Sequence, residues 1–598
     1  MTSMLAAPID GGVIKPIQTT EDREAAASWL TSPREFIAID SETTGLAYDA
    51  EVRLVQFGDQ KTAWVATPDH YMELVELLYK IDTPLVMHNA PFDSLHLARL
   101  LDPSDVVGRV TKLLSRTTDT SILAHLIDPR EKRHGGTGHS LKPLSEHWVD
   151  PNAPDSDAEL KSLFRSLGLS VADGYAQVPL DNETFLTYSG MDVLLAARLH
   201  DVLAKEVADI GLEHLNEFEH RAQQIVTAMT ARGIKVDLPY AHELSEELLA
   251  EQTNAERRAA ELGVENTNST NQVSAALLER GLTLTDKTPS GQLKVDRKIL
   301  EALDDELAVQ VLAAKNASKA LTSWVDPLID AAWNDGRVHC RIRSVAARTG
   351  RQSISNPPLQ QLPANDHRIR SCIQADDGQS LVAADFDTIE MRVLAVLANE
   401  ETMIQAFADG ENLHDTTASR LFGSDFTQEQ RRLAKGVGFG LIYGGGVDTL
   451  ARQSGISKLE AQSAIDKFHR AFPRVKRWSN QLTEKVKYGE PLVITGTGRR
   501  IPVERDFCYR AVNYSIQSLA ADLFKGSLIQ LDESGFGDHL LLPIHDEVLT
   551  QTETENADEF ANDLASTMSG QLGPVPITAS AEVIGDNWGI KYQEKVNG

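Results

Sequence analysis

The sequence predicts a multidomain α/β protein, and three observations predict it. Short apolar runs end on an acidic residue and lead into helical periodicity, as in Phe36-Ile37-Ala38-Ile39-Asp40 and Leu381-Val382-Ala383-Ala384-Asp385. A chain of 598 residues exceeds what one core can serve, so about three to five domains or subdomains are expected. A hydrophobic content of 41% with 24% charged residues is the balance of a soluble globular protein.

Composition also narrows the function. No apolar run approaches a membrane span, and the N-terminus, with Asp10 and no basic flank, does not read as a secretory signal. Cytoplasmic residence is the expectation. Cys340, Cys372 and Cys508 are too few and too widely spaced for a disulfide framework or a thiolate zinc site. A net charge of −29 argues against nucleic-acid binding by the whole surface. From Lys315 to Arg370, however, nine Lys and Arg face four Asp, a local excess of five positive charges. Such a basic island is the footprint expected of a nucleic-acid groove.

In the first two hundred residues, the strand ending at Asp40 continues as Asp40-Ser41-Glu42, and the period of two puts both carboxylates on one face. Pro84 to Met87 is again strand-like, and His88-Asn89-Ala90-Pro91-Phe92-Asp93 opens a helix bearing a third acid. Tyr188 and Asp192, four apart, share one helical face. Asp119, ahead of an apolar helical run, reads as a helix cap. Four converging carboxylates repel one another unless cations are bound, which makes a two-metal site natural. In order and spacing, D-x-E, N-x3-D and Y-x3-D resemble the 3′-to-5′ exonuclease domains of the RNase H-like superfamily. Residues 150–180, acidic and carrying Pro151 and Pro154, read as a loop-like surface excursion.

The middle of the chain reads as helices. Glu213 to Arg232 closes on Gly233, Leu244 to Leu262 closes on Gly263, and a further helix follows Asn271. Long helices suit a clamp over a duplex and equally suit any bundle. Arg337, His339, Arg341 and Arg343 then alternate with Val338, Cys340 and Ile342, giving a strand with one cationic face that suits a phosphate backbone. Asn356 to Pro363, with Gln360, supplies amides of the kind that contact minor-groove acceptors, or ordinary loop amides.

In the last two hundred residues, Asp385 leads into Phe386-Asp387-Thr388-Ile389-Glu390-Met391-Arg392. On its own, an aspartate after a strand serves equally as a helix cap. Arg431, Lys435, Phe439 and Tyr443 fall four apart on one helix, two cations followed by two aromatics, suited to a triphosphate at one end and a base at the other. Leu540 to Ile544 and Val548 onward read as two strands meeting at His545-Asp546-Glu547, where Asp546 can join Asp385 around shared metals.

With these three motifs together, nearly the whole chain resembles the family A DNA polymerases. The resemblance implies an RNase H-like 3′-to-5′ exonuclease domain followed by a right-hand polymerase. Residues 1–210 would form the exonuclease, 211–335 the thumb, 336–400 and 505–598 the palm, and 401–504 the fingers. It implies catalytic Asp385, Asp546 and Glu547, with Asp385 and Asp546 holding metal. Arg431, Lys435, Phe439, Tyr443, Glu390 and His545 would receive the nucleotide, Glu390 excluding a ribose 2′-hydroxyl. Arg351, Gln360, Arg499, Asn513 and Gln517 would contact primer-template DNA. In the exonuclease, Asp40, Glu42, Asp93 and Asp192 would bind metal, with Tyr188 orienting water.

Two Mg²⁺ at each site, with Mn²⁺ as a substitute, and dNTPs follow from the same resemblance. So do a single-stranded 3′ end at the exonuclease site and replisome proteins as partners. The absence of room before residue 30 for a 5′ nuclease domain suggests a phage replicative enzyme, acting in the cytoplasm of a bacterial host. Two departures stand out: Phe386, Asp387 and Thr388 replace the family's tyrosine, serine and glutamine, and Gly438 replaces an asparagine. A nuclease whose C-terminal part only holds DNA, or a noncatalytic scaffold, would leave Asp385, Asp546 and the cationic helix without a use.

Overall fold

The alternating apolar residues of the N-terminal strands close a seven-stranded mixed sheet, in a computed structural model that describes residues 4–151, 156–288, 290–363, 366–442 and 445–596. Ile37–Thr43 lies within it, antiparallel to Val52–Gly58 and parallel to Leu85–Met87. The strand's two faces enter different cores. Ile37 and Ile39 pack with Leu74, Leu97 and Val110 from the helices Pro68–Leu78, Ala90–Leu101 and Val106–Leu114. Ala38 packs with Phe185, Met191 and Leu194 from the long helix Glu183–Asp209. Alternation therefore aims Asp40 and Glu42 at the long helix and Ser41 at the helix Ala90–Leu101.

Residues 150–180 are not the loop-like excursion expected. Beyond residue 155 they form the helices Ser156–Ser166 and Val171–Gln177. Leu160 and Phe164, four apart, are fully buried in the same core as Phe185, and that burial outweighs the acidic composition. The Arg53 guanidinium ties the segment down through the carbonyls of Tyr175 at 2.6 Å and Val178 at 2.8 Å.

The helix Leu238–Glu261, 24 residues long, packs along Glu306–Ala320. At the usual rise per residue it spans about 36 Å. A four-stranded antiparallel sheet follows, in the order Leu540–Ile544, Glu547–Glu553, Gln379–Phe386, Ala579–Gly585. The helix Arg510–Leu531 packs on Ile389–Leu397, which leaves the sheet beyond Phe386.

The basic island departs from its expected role, because most of its charge is spent inside the protein. Arg337 pairs with Asp376, Arg348 with Glu504, Arg351 with Glu390, and Arg368 with Asp366, Glu247 and Glu251. Arg370 is buried against the rings of Trp588 and Tyr592. The alternating cationic strand is a docking edge. His339 is buried, stacks on Tyr48 with ring centroids 3.7 Å apart, and bonds the Thr230 carbonyl, while Arg341 donates to Asn89 Oδ1 at 3.0 Å. It joins the later part of the chain to the N-terminal domain. Arg343 alone of this run stays exposed.

A buried charge cluster locks the same seam. Glu219, on the helix Glu213–Arg232, faces Arg499 and Lys525, and Asp522 pairs with Arg499 at 2.6 Å. All four side chains are at most 3% exposed. Removing one partner from such a group leaves an uncompensated interior charge. Glu219→Ala is accordingly expected to cost about 3–5 kcal/mol, read as a lowered urea-unfolding midpoint.

Candidate active sites

Two acid clusters stand at strand ends, one in each sheet. In the first, Asp40, Glu42 and Asp192 bring ligand oxygens within 4.8 Å of one another, which among the described residues makes the one such group of three or more. The strand supplies Asp40 and Glu42 from one face, and the helix Glu183–Asp209 supplies Asp192 with Tyr188 one turn earlier. Burial, opposed by Lys142, pushes the Asp40 carboxyl up to about 7. Burial and then Asp40 hold Glu42 well above the usual carboxylate range. The Tyr188 hydroxyl is raised by burial and pairs with the Tyr175 hydroxyl.

Asp93 does not join this trio. It approaches from the opposite face of the strand and accepts the Ser41 hydroxyl at 2.6 Å, as the alternation at Ser41 requires. Its carboxyl is raised by burial and by Asp40. Asp119 is a cap, as its position suggested: it accepts from the backbone N–H groups of Ser121, Asn89 and Ala90 and from the Gln223 amide. Lys142, which the sequence did not single out, places its ammonium against Asp192 and 4.8 Å from the centroid of the Tyr188 ring.

In the second cluster, antiparallel pairing sets Asp385 directly opposite Glu547, and the Phe386 N–H reaches the Asp546 carbonyl at 3.3 Å. Asp546 lies in the two-residue turn between its strands, beside His545 with φ of +60°. Asp385 keeps solvent access from the cleft, yet the surrounding walls and then Asp546 and Glu547 raise its carboxyl to about 7. Asp546 is raised chiefly by burial. Lys591, on the C-terminal helix Ile590–Val596, donates to Glu547 Oε2 at 2.6 Å, and Glu547 Oε1 is buried without a partner among the described residues. These underneutralised carboxylates suit hard divalent cations, as does the first cluster.

A small cavity opens beside Asp546, lined by Arg351, Gln360, His545 and the helix Arg510–Leu531 at Ala520 and Phe524. Arg351 pairs with Glu390 at its edge. Gln360 is held by the Ile354 N–H at 3.2 Å. Asn513 and Gln517, four apart on that helix, are half-buried. Arg499 departs from the expected DNA contact: it is 2% exposed and engaged by Glu219 and Asp522, with no surface to offer a strand. Arg431, on the helix Gln428–Ile442, pairs with Asp415, and Lys435 is exposed. The side chain of Phe439 and the whole of Tyr443 lie outside the described residues.

One acid trio, on a strand and the helix packed against it, is thus joined in a single chain to an antiparallel sheet with acids at its strand ends. The family model for DNA polymerase family A matches residues 238–590, and that for a 3′-5′ exonuclease matches residues 15–208. The chain is 36% identical over 600 residues to a DNA polymerase of Mycobacterium phage D29, covering 97% of each. It is 28% identical to DNA polymerase I of Chloroflexus aurantiacus, covering 96% of this chain and 63% of that one. A solved structure of the POL domain of Pol1 from M. smegmatis, in complex with DNA primer-template and dNTP, matches its fold with a TM-score of 0.76 at 24% identity, covering 96% of this chain and 99% of that one. The chain belongs to DNA polymerase family A, with a 3′-5′ exonuclease domain. Among the described residues no helix is long and apolar enough to cross a membrane.

The raised carboxyls carry a stability signature. Asp40 binds its proton more tightly in the fold than in the unfolded chain, so its stabilising contribution is complete below about pH 4 and is lost as the pH rises toward 7. In EDTA, the thermal midpoint of the wild type should fall relative to that of Asp40→Asn between about pH 5 and pH 8, and added Mg²⁺ should close the gap.

Proposed function

We propose that the chain extends a DNA primer with dNTPs at the Asp385–Asp546 site and removes misplaced 3′ nucleotides at the Asp40–Glu42–Asp192 site. The observation that carries this reading is the strand register that sets Asp385 opposite Glu547, beside Asp546. Asp385 and Asp546 would hold two Mg²⁺, replaceable by Mn²⁺, while Lys591 restrains Glu547. Bound cations supply Lewis-acid activation of the attacking oxygen and neutralise charge at the leaving oxygen. In extension the primer 3′-oxygen bonds to the α-phosphorus and the bond to pyrophosphate breaks.

Arg431 and Lys435 take the triphosphate, with Phe439 and Tyr443 against the sugar and base and His545 nearby. Glu390, pinned by Arg351, would exclude a ribose 2′-hydroxyl. Arg351, Gln360, Asn513 and Gln517 face the primer-template, reading groove shape rather than sequence. In the exonuclease, water attacks the terminal phosphodiester and the 3′-oxygen leaves. Asp40, Glu42 and Asp192 would hold the cations, and Tyr188 orients the water.

The domain division is read as residues 1–210 exonuclease, 211–335 thumb, 336–400 and 505–598 palm, and 401–504 fingers; the exonuclease match over residues 15–208 supports the first of these. Similarity to mycobacteriophage polymerases supports replication of a phage genome in the cytoplasm of a bacterial host, alongside replisome proteins.

Primer-extension assays on variants test the assignment. Asp546→Ala should abolish extension and leave degradation of a mismatched 3′ end, whereas Asp40→Ala should do the reverse; a variant that loses neither activity overturns its site. Glu390→Ala should raise ribonucleotide incorporation about 10²-fold or more while weakening dNTP use, because the clash that rejects the 2′-hydroxyl is removed.

A further inference from the structure

Lys142 sits inside the exonuclease centre, in a place where three carboxylates leave room for a cation. It is the second residue of the short helix Leu141–Trp148, whose Leu144 is buried with Leu199 and Leu203 of the helix Glu183–Asp209, the helix that carries Tyr188 and Asp192 nearer its start. Its side chain is 16% exposed, its ammonium touches Asp192, and its charge also acts on Asp40 and Glu42. The centroid of the Tyr188 ring is 4.8 Å away, so the ammonium neighbours both Asp192 and the phenol assigned to the attacking water.

A lysine ammonium is a single point charge on a flexible stem. It can hold a carboxylate in place, but it cannot bridge several ligands as a divalent ion does. Two consequences follow from ordinary electrostatics. While the ammonium stays, it stabilises the ionised trio and keeps Asp192 oriented; it also opposes entry of a second cation into the same field. Once displaced, it needs a new anionic partner, and the phosphate of an arriving 3′ end supplies one.

We propose that Lys142 is a positioning residue of the exonuclease centre: a resident counter-ion that orders Asp192 before loading and yields its place when a divalent cation and a DNA 3′ end arrive together. This rests on the exonuclease reading of the Asp40–Glu42–Asp192 cluster. Metal loading and strand binding thereby become coupled, each strengthening the other, as reciprocity between two ligands requires. A centre without a 3′ end stays guarded by its own ammonium.

The test measures Mn²⁺ binding by electron paramagnetic resonance in full-length protein carrying Asp385→Ala and Asp546→Ala, so that the nuclease site alone reports. In that parent, a single strand with a hydrolysis-resistant phosphorothioate end should tighten Mn²⁺ binding. With Lys142→Met added, Mn²⁺ should bind about tenfold more tightly without DNA, and the strand should add little further. On the chain with its polymerase site intact, Lys142→Met should slow mismatch removal at saturating Mn²⁺ about tenfold or more, and Lys142→Arg should restore part of that rate. Primer extension by the same preparations reports that the chain is folded. Unchanged Mn²⁺ affinity in Lys142→Met, or an undiminished effect of the strand, overturns the proposal. If instead Asp40→Ala leaves Mn²⁺ binding in the parent unaltered, the exonuclease assignment itself has failed.

Discussion

The polymerase half depends on one strand register. Gln379–Phe386 pairs with Glu547–Glu553 so that Asp385 faces Glu547, and the Thr550 hydroxyl bonds the Val382 carbonyl at 2.8 Å within the same ladder. Because side chains alternate, a slip of one residue would turn Asp385 to the other face, and the strand is buried on both, with Leu381, Val382, Ala383 and Ala384 all in the core. The core thus enforces a meeting of like charges that electrostatics alone would disperse. Burial and neighbouring acids raise the Asp385 and Asp546 carboxyls, a setting that favours hard divalent cations.

Much of this was legible because the relevant periods are local. A period of two pairs Asp40 with Glu42, and a spacing of four pairs Tyr188 with Asp192, whatever the rest of the chain does. The family likeness then paired Asp385 with Asp546, and the sheet sets Asp385 opposite Glu547, with Asp546 next to it in the turn. Charge counting was less dependable. It registers that Arg337, Arg348, Arg351 and Arg368 are cations, but not that Asp376, Glu504, Glu390 and Asp366 lie waiting for them across the fold. Arg499 fell to the same blindness, its partner Glu219 lying 280 residues away. Lys142 and Lys591 carry no local pattern at all, and only tertiary contact shows that each faces an acid of a site.

The departures from the family pattern acquire physical reasons. Asp387, an added acid beside Asp385, accepts the hydroxyls of Thr578 at 2.7 Å and Ser580 at 2.8 Å, so its charge is spent on the neighbouring strand. Gly438 lies where a Cβ would come within 3.3 Å of Met391 Cε, and its lack of a side chain lets the helix Gln428–Ile442 approach the palm closely.

The helix Glu213–Arg232 serves both halves of the molecule at once. Gln223 and His220 hold Asp119 in the nuclease domain, while Glu219 and Thr230 hold Arg499, Lys525 and His339 on the polymerase side. Two workshops thus share one beam. On the proposed function, a primer terminus would travel between them by fraying from its template at about 1.4 kcal/mol per paired step. A mispaired end, already partly undone, would have less to surrender, and the weakness of a wrong pair would become the sorting signal.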